Sequence, residues 1–145
     1  MYYQPPLEDI RFTLETFGFN EQVSTIGCFE DFDLDTCMEL LEAYSDFCVD
    51  VLLPLNSKGD QEGVTFDPET QEVGLPDGFK EAYQAYCENG FSAIGLNPEY
   101  GGLGAPISVA IAAQEVIGAT NKSFSMCPGL NGALIEALEA YGSEE

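Results

Sequence analysis

The sequence predicts an all-α fold of four to six helices with one long irregular surface loop. Apolar residues recur at helical spacing along most of the chain, which is the main periodic signal. Helix-starting and helix-stopping residues sit at the ends of those stretches. One segment, 57–78, has no such period and is broken by Gly59, Gly63, Pro68, Gly74, Pro76 and Gly78. With 145 residues, 45% of them hydrophobic, the chain is long enough for one domain with a real core.

Residues 1–6 read as extended, because Pro5 and Pro6 disfavour helix before them. Residues 7–17 read as a short helix with Glu8 and Asp9 in its first turn, where the dipole favours acids. Its apolar face is Leu7, Ile10, Leu14 and Phe17, Arg11 is placed to pair with Glu8 or Glu15, and Gly18 ends it. Residues 20–30 read as loop. A long helix follows over 33–53, started by Asp33 and Asp35 and stopped by Pro54. Its stripe is Leu34, Cys37/Met38, Leu41, Tyr44, Phe47/Cys48 and Val51/Leu52, and the opposite face carries Glu39, Glu42, Asp46 and Asp50.

The surface loop 57–78 has two short extended pieces, 64–66 and 72–74. Its acids Asp60, Glu62, Asp67 and Glu69 do not follow the spacing of a helix-loop-helix calcium site. A helix from Asp77 or Gly78 to about Asn89 turns Phe79, Ala82, Tyr83, Tyr86 and Cys87 inward, and Gly90 closes it. The glycine loop 97–104 reads as a tight turn, since no Lys or Ser/Thr follows it in the phosphate-loop pattern. Two apolar helices complete the chain, over 106–119 and 123–141. Ile107, Ala110, Ile111, Gln114 and Ile117 recur in the first; Met126, Leu130, Ala133, Leu134, Ala137 and Leu138 recur in the second. Both are apolar around more than half their circumference, so both are expected to be the most buried elements. Residues 1–145 thus form one unit: an N-terminal extension with a short helix over 1–32, then a helical core over 33–145.

Charge narrows the function. There are 26 acidic and 4 basic residues, a formal net charge of −22. Such a surface repels nucleic acid and anionic membranes. Two origins stay open: a general surface property suited to high salt, or a specific cationic partner. Cys28, Cys37, Cys48, Cys87 and Cys127 form no CxxC pair and the chain has no histidine, so they read as buried reduced thiols in a cytoplasmic protein. No apolar run approaches the ~20 residues needed to span a membrane, and no basic N-terminal region precedes an apolar run as in a signal peptide.

Several motifs stand in a recognisable order: Tyr3-Gln4-Pro5-Pro6-Leu7-Glu8-Asp9-Ile10-Arg11-Phe12, Val51-Leu52-Leu53-Pro54-Leu55-Asn56 with Gly59-Asp60 and Gly63, Pro76-Asp77-Gly78-Phe79-Lys80-Glu81-Ala82-Tyr83, Pro98-Glu99-Tyr100-Gly101-Gly102, Ser123-Phe124-Ser125-Met126, Pro128-Gly129-Leu130 and Gly142-Ser143-Glu144-Glu145. In order and spacing they resemble the N-terminal helical domain of the acyl-CoA dehydrogenases, and within that family the subgroup of the 3-methylmercaptopropionyl-CoA dehydrogenases.

The resemblance implies an FAD-dependent oxidoreductase of fatty acid metabolism that introduces an α,β double bond into an acyl-CoA thioester. A general base takes the α-proton while the β-hydrogen leaves as hydride to the flavin. It implies an electron-transfer flavoprotein or other acceptor as partner, and a homo-oligomer when full length. It further implies that a β-rich middle domain and a C-terminal helical bundle, which hold most of the flavin cradle and the catalytic glutamate, lie outside these residues. The chain is therefore expected to be an N-terminal fragment, inactive alone, without a catalytic residue and not holding FAD alone.

The family's N-terminal domain walls the acyl-chain pocket. The residues that fit such a wall are Met126, Gly129, Leu130, Ala133 and Leu134, which fit a plain helix core equally well. The rival reading is a stand-alone acidic helical interaction module without catalysis. Glu136, Glu139, Glu144 and Glu145 crowd the end of the last helix, where the dipole favours cations instead.

Overall fold

The structure, a computed structural model, describes residues 2–143. Residues 2–6 form neither helix nor strand, and the chain turns at Pro6, where the Leu7 amide donates to the Pro5 carbonyl at 2.9 Å. Helix α1, Leu7–Thr16, starts at Pro6 with Glu8 and Asp9 in its first turn. Gly18 ends it in the left-handed region (φ 67°), and the chain turns at once into α2, Phe19–Val23, where the sequence pointed to loop. The pair Phe19 and Val23, one turn apart and both buried, drives that extra turn. Phe17 lies past the last turn of α1 and is exposed instead of facing inward.

Helix α3, Leu34–Phe47, is capped by Asp33, whose Oδ1 accepts from the Thr36 amide at 2.8 Å. Arg11 ties α1 to it, donating to Asp35 at 2.7 Å and to Glu15 at 3.3 Å; Glu8 takes no part. The predicted stripe is buried: Leu34, Cys37, Met38, Leu41, Tyr44, Cys48 and Leu52.

Pro54 does not stop this helix. The chain passes through a π-helical turn, Cys48–Leu52, straight into α4, Leu53–Glu62. Proline lacks the N–H that would continue the α-helical ladder, and widening by one residue is how a helix absorbs that loss. Pro54 then occupies the first turn of α4, where a missing donor costs least. Because α3 and α4 form one rod, the seven α-helical segments among the described residues make six separate helices.

The extended pieces fall where expected. β1, Thr65–Phe66, pairs antiparallel with β2, Val73–Gly74, in the register Phe66 opposite Val73. Helix α5, Phe79–Glu88, buries Ala82 and Tyr86, whereas Cys87 points to solvent. In the glycine loop, Gly102 lies so close to the Leu96 carbonyl that no Cβ fits. The Leu103 amide donates to the Ala93 carbonyl at 2.9 Å, so the loop is a tight turn folded back on its own entry.

Helix α6, Ile107–Thr120, is as buried as α3, each burying six of fourteen residues, but helix α7, Lys122–Tyr141, is not among the most buried elements. The centre of the core is α3 with its π turn, packed on α6 and α5 through Leu41, Tyr44, Leu52, Val109, Val116 and Ile117. Helix α6 buries Val109, Ala112, Ala113, Val116, Ile117 and Thr120, so of its expected stripe Ile117 is buried, Ala110 is half-buried against the core, and Ile107, Ile111 and Gln114 are exposed. Helix α7 buries only Phe124, Ser125 and Pro128. A helix apolar all round has no polar face to fix its rotation, so its sequence leaves open which side turns inward.

Of the cysteines, Cys37 and Cys48 are buried, but Cys28, Cys87 and Cys127 are exposed; all five are free. Among the described residues no helix is long and apolar enough to cross a membrane. The acids Glu144 and Glu145 lie outside the described residues; Glu136 and Glu139 are exposed on the last turns of α7.

Candidate functional site

The start of α7 is held by one buried residue. Asn121 Oδ1 accepts from the Phe124 amide at 3.0 Å and from Ser123 Oγ at 2.9 Å, capping the helix. Its Nδ2 donates to the Leu52 carbonyl at 3.1 Å, in the π turn of the central rod. Phe124 packs into an aromatic cluster with Phe79, Tyr83 and Tyr86 at ring separations of 6.4, 6.2 and 5.8 Å. These contacts set the rotation of α7. With Phe124 and Pro128 turned inward, Met126 and every fourth residue after it turn outward.

All five predicted site residues therefore lie on the exposed side of α7. Met126, Leu130 and Leu134 form one ridge with Leu138, at 55, 69, 60 and 58% exposure. Gly129 and Ala133 form the neighbouring ridge. Gly129 also lines a cavity of about 170 Å³ between α6 and α7, with Ala110, Ile111, Gln114, Pro128 and Gly132. The structure thus assembles these residues into one apolar surface. Of the five, only Gly129 borders that cavity, which Ile107 and Ile111 of α6, 68 and 61% exposed, border from the other side. Their spacing of one turn was the available signal, but it was read as core.

A larger groove, about 710 Å³, lies between α1, α2 and the first turns of α6. Its walls are apolar apart from Asp9, Thr13, Gln22, Ser108 and Glu115, and no basic residue lines it. Of the four cations, Arg11 is paired with Glu15 and Asp35, and Lys58 Nζ donates to the Asp77 carbonyl at 2.8 Å. Lys80 and Lys122 line neither cavity. A dinucleotide diphosphate calls for cationic or clustered amide donors. No basic residue lines either cavity.

Two buried titratable groups, Tyr44 and Tyr86, line the smaller cavity. Tyr44 is 1% exposed, its hydroxyl in hydrogen-bond contact with Tyr86 and the Cys48 thiol, and burial pushes its pKa far above the ordinary tyrosine value. Burial likewise pushes the Cys48 thiol up to about 12 and, with help from Asp33, the Cys37 thiol up to about 11. These groups keep their protons at neutral pH. Among the described residues no three or more Cys, Asp or Glu side chains gather as a metal would need.

Comparison with known proteins places the sequence in a family. A profile of the acyl-CoA dehydrogenase N-terminal domain matches residues 35–145. The chain is 35% identical over 144 residues to the 3-methylmercaptopropionyl-CoA dehydrogenase of Ruegeria pomeroyi, covering 99% of this chain and 24% of that protein. It is 30% identical over 145 residues to a broad-specificity linear acyl-CoA dehydrogenase of Mycobacterium tuberculosis, covering 99% of this chain and 23% of that protein. A butyryl-CoA dehydrogenase of Syntrophomonas wolfei is 31% identical over 100 residues, 68% of this chain and 16% of the relative. The chain spans about a quarter of the length of the first two relatives. The helical architecture, the profile match and these relatives agree: the chain belongs to the acyl-CoA dehydrogenase family and corresponds to its N-terminal helical domain.

Proposed function

We propose that this chain is the N-terminal part of an FAD-dependent acyl-CoA dehydrogenase and supplies a wall of its acyl-chain pocket. The observation that carries the reading is the exposed apolar surface of Met126, Gly129, Leu130, Ala133 and Leu134, with Gly129 bordering a cavity that Ile107 and Ile111 also line. An acyl chain makes no hydrogen bonds, so its wall needs apolar side chains and close approach; Gly129 and Gly132 give the approach and the ridge gives the contact area. The flavin, when bound, supplies the hydride acceptor. This chain's part is to exclude water from the acyl chain and to hold it in place. It contributes neither the base nor the diphosphate site, so alone it is inactive and does not retain FAD. The acyl-CoA substrate, an electron-transfer flavoprotein or other acceptor, homo-oligomerisation and a cytoplasmic setting belong to the same reading, the last supported by five free cysteines.

The product of the complete reading frame should carry flavin and oxidise acyl-CoA, measured by bleaching of the flavin absorbance. Leu130→Asp should raise KM for long acyl-CoA with flavin content unchanged. The 145-residue chain purified alone should be colourless. Isolation of that chain with near-stoichiometric FAD, or a flavin-loaded full product inert to every acyl-CoA, would overturn the reading. The latter result would favour an acidic interaction module.

A further inference from the structure

The 710 Å³ groove on the opposite side of α6's first turns is not used by the acyl-chain wall apart from its lip at Ile107 and Ile111. Its floor is Ile10, Phe19 and Val23, all buried. Phe17, at 73% exposure, and Ile26, at 44%, stand open at its edge. The polar side chains of its lining are largely satisfied locally: Thr13 Oγ1 donates to the Asp9 carbonyl at 2.8 Å and Gln22 Nε2 to the Phe17 carbonyl at 2.5 Å.

Two charges remain, one on each wall: Asp9 on α1 and Glu115 on α6. Neither carboxylate takes part in a hydrogen bond or ion pair among the described residues; Glu115 acts on Tyr3 only through its field, helping to raise that phenol's pKa. The ten residues of α1 give the groove a wall of about 15 Å, between two and three helical turns.

An open apolar trough with a free carboxylate on each side suits a helix that has an apolar stripe and cations on both flanks. We propose that this groove receives a basic amphipathic helix of a partner protein. A second copy of the chain is a poor occupant. Its apolar helix α7 carries Glu136 and Glu139, and each copy brings a net charge of −22.

The test uses the 145-residue chain and a synthetic peptide about 14 residues long, made of leucine and lysine with the leucines on one helical face. A scrambled peptide of equal composition is the control, and binding is read by fluorescence anisotropy at physiological salt. The patterned peptide should bind at least about tenfold more tightly than the scrambled one. Glu115→Lys should weaken binding about tenfold, while Glu42→Lys, an equal charge change exposed on α3 outside the groove, should change it less than about twofold. Phe17→Ser, at an exposed position that leaves the circular dichroism unchanged, should also weaken it about tenfold. Equal binding of the two peptides, or equal effects of Glu115→Lys and Glu42→Lys, would show only general attraction to an acidic protein and overturn the proposal. So would a dimer that the peptide does not dissociate, which would place a second copy in the groove.

Discussion

Cys37 and Cys48 are the most protected reactive groups in the chain, both at 0% exposure with thiols pushed up to about 11 and about 12. The unfolded chain ionises its thiols near the ordinary value of 9, so it gives up protons before the folded chain does. The stabilisation from keeping them neutral is therefore present below pH 9 and is lost as pH rises from about 9 towards 12. A thiol reagent at neutral pH should label Cys28, Cys87 and Cys127 quickly and the other two only on unfolding. Fast labelling of all five would contradict the packing. Burial also separates two leucines that look alike in sequence. Leu41 is fully buried, and Leu41→Asp leaves a charge with no partner, costing several kcal/mol, on the order of the whole stability of a domain. Leu134 was expected to be core, but it is 60% exposed, so Leu134→Asp should fall within about half a kcal/mol in this chain. Thermal melts of the two variants decide the matter.

Among the elements, α3, its π turn and α4 form the frame on which α7 is aligned. Asn121 joins them, and its bonds to Leu52 and Phe124 are buried. Asn121→Ala removes the helix cap and leaves the Leu52 carbonyl without that donor. The expected loss is about 1–3 kcal/mol. Asn121→Asp keeps the cap acceptors but cannot donate to Leu52, so it should fall below the native protein as well. Denaturant midpoints test both, and a native midpoint for Asn121→Ala would remove Asn121 from this role. Much of this layer was legible beforehand: the stripe of α3, the Asp33 cap, the hairpin pieces and the closing glycines Gly18 and Gly90 all depend on neighbours a few residues away. The run through Pro54 was not, because a proline reads locally as a helix stop, whereas here a π turn precedes it and places it in the first turn of α4.

For the whole molecule, charge and exposed apolar surface oppose each other. Folding brings 26 acids together with only 4 cations to offset them. Adding salt shortens the screening length from roughly 30 Å at 0.01 M to about 3 Å at 1 M. The thermal midpoint should therefore rise in both sodium chloride and sodium sulfate, with most of the chloride effect complete by about 1 M. Sulfate should add a further rise, since it also strengthens apolar burial. The ridge of Met126, Leu130, Leu134 and Leu138 should bind a hydrophobic dye, more so as repulsion is screened. A midpoint indifferent to chloride would show that the acids are too widely spread to repel.

Helical class, most helix positions and the net charge were readable from order and composition alone, because caps, turns and periodicity are local and net charge is a sum. The family was readable from its motifs. The residues proposed for the wall were picked out on α7 under the wrong expectation of burial. Helices α6 and α7 are apolar on every side, so their own residues do not say which side packs. That choice was made by contacts distant in sequence: Asn121 on Leu52, Phe124 among Phe79, Tyr83 and Tyr86, and Val109 and Val116 in the core. Tertiary packing turned Met126, Leu130, Ile107 and Ile111 outward, and it opened the groove between α1, α2 and α6, because only the folded chain brings those segments side by side.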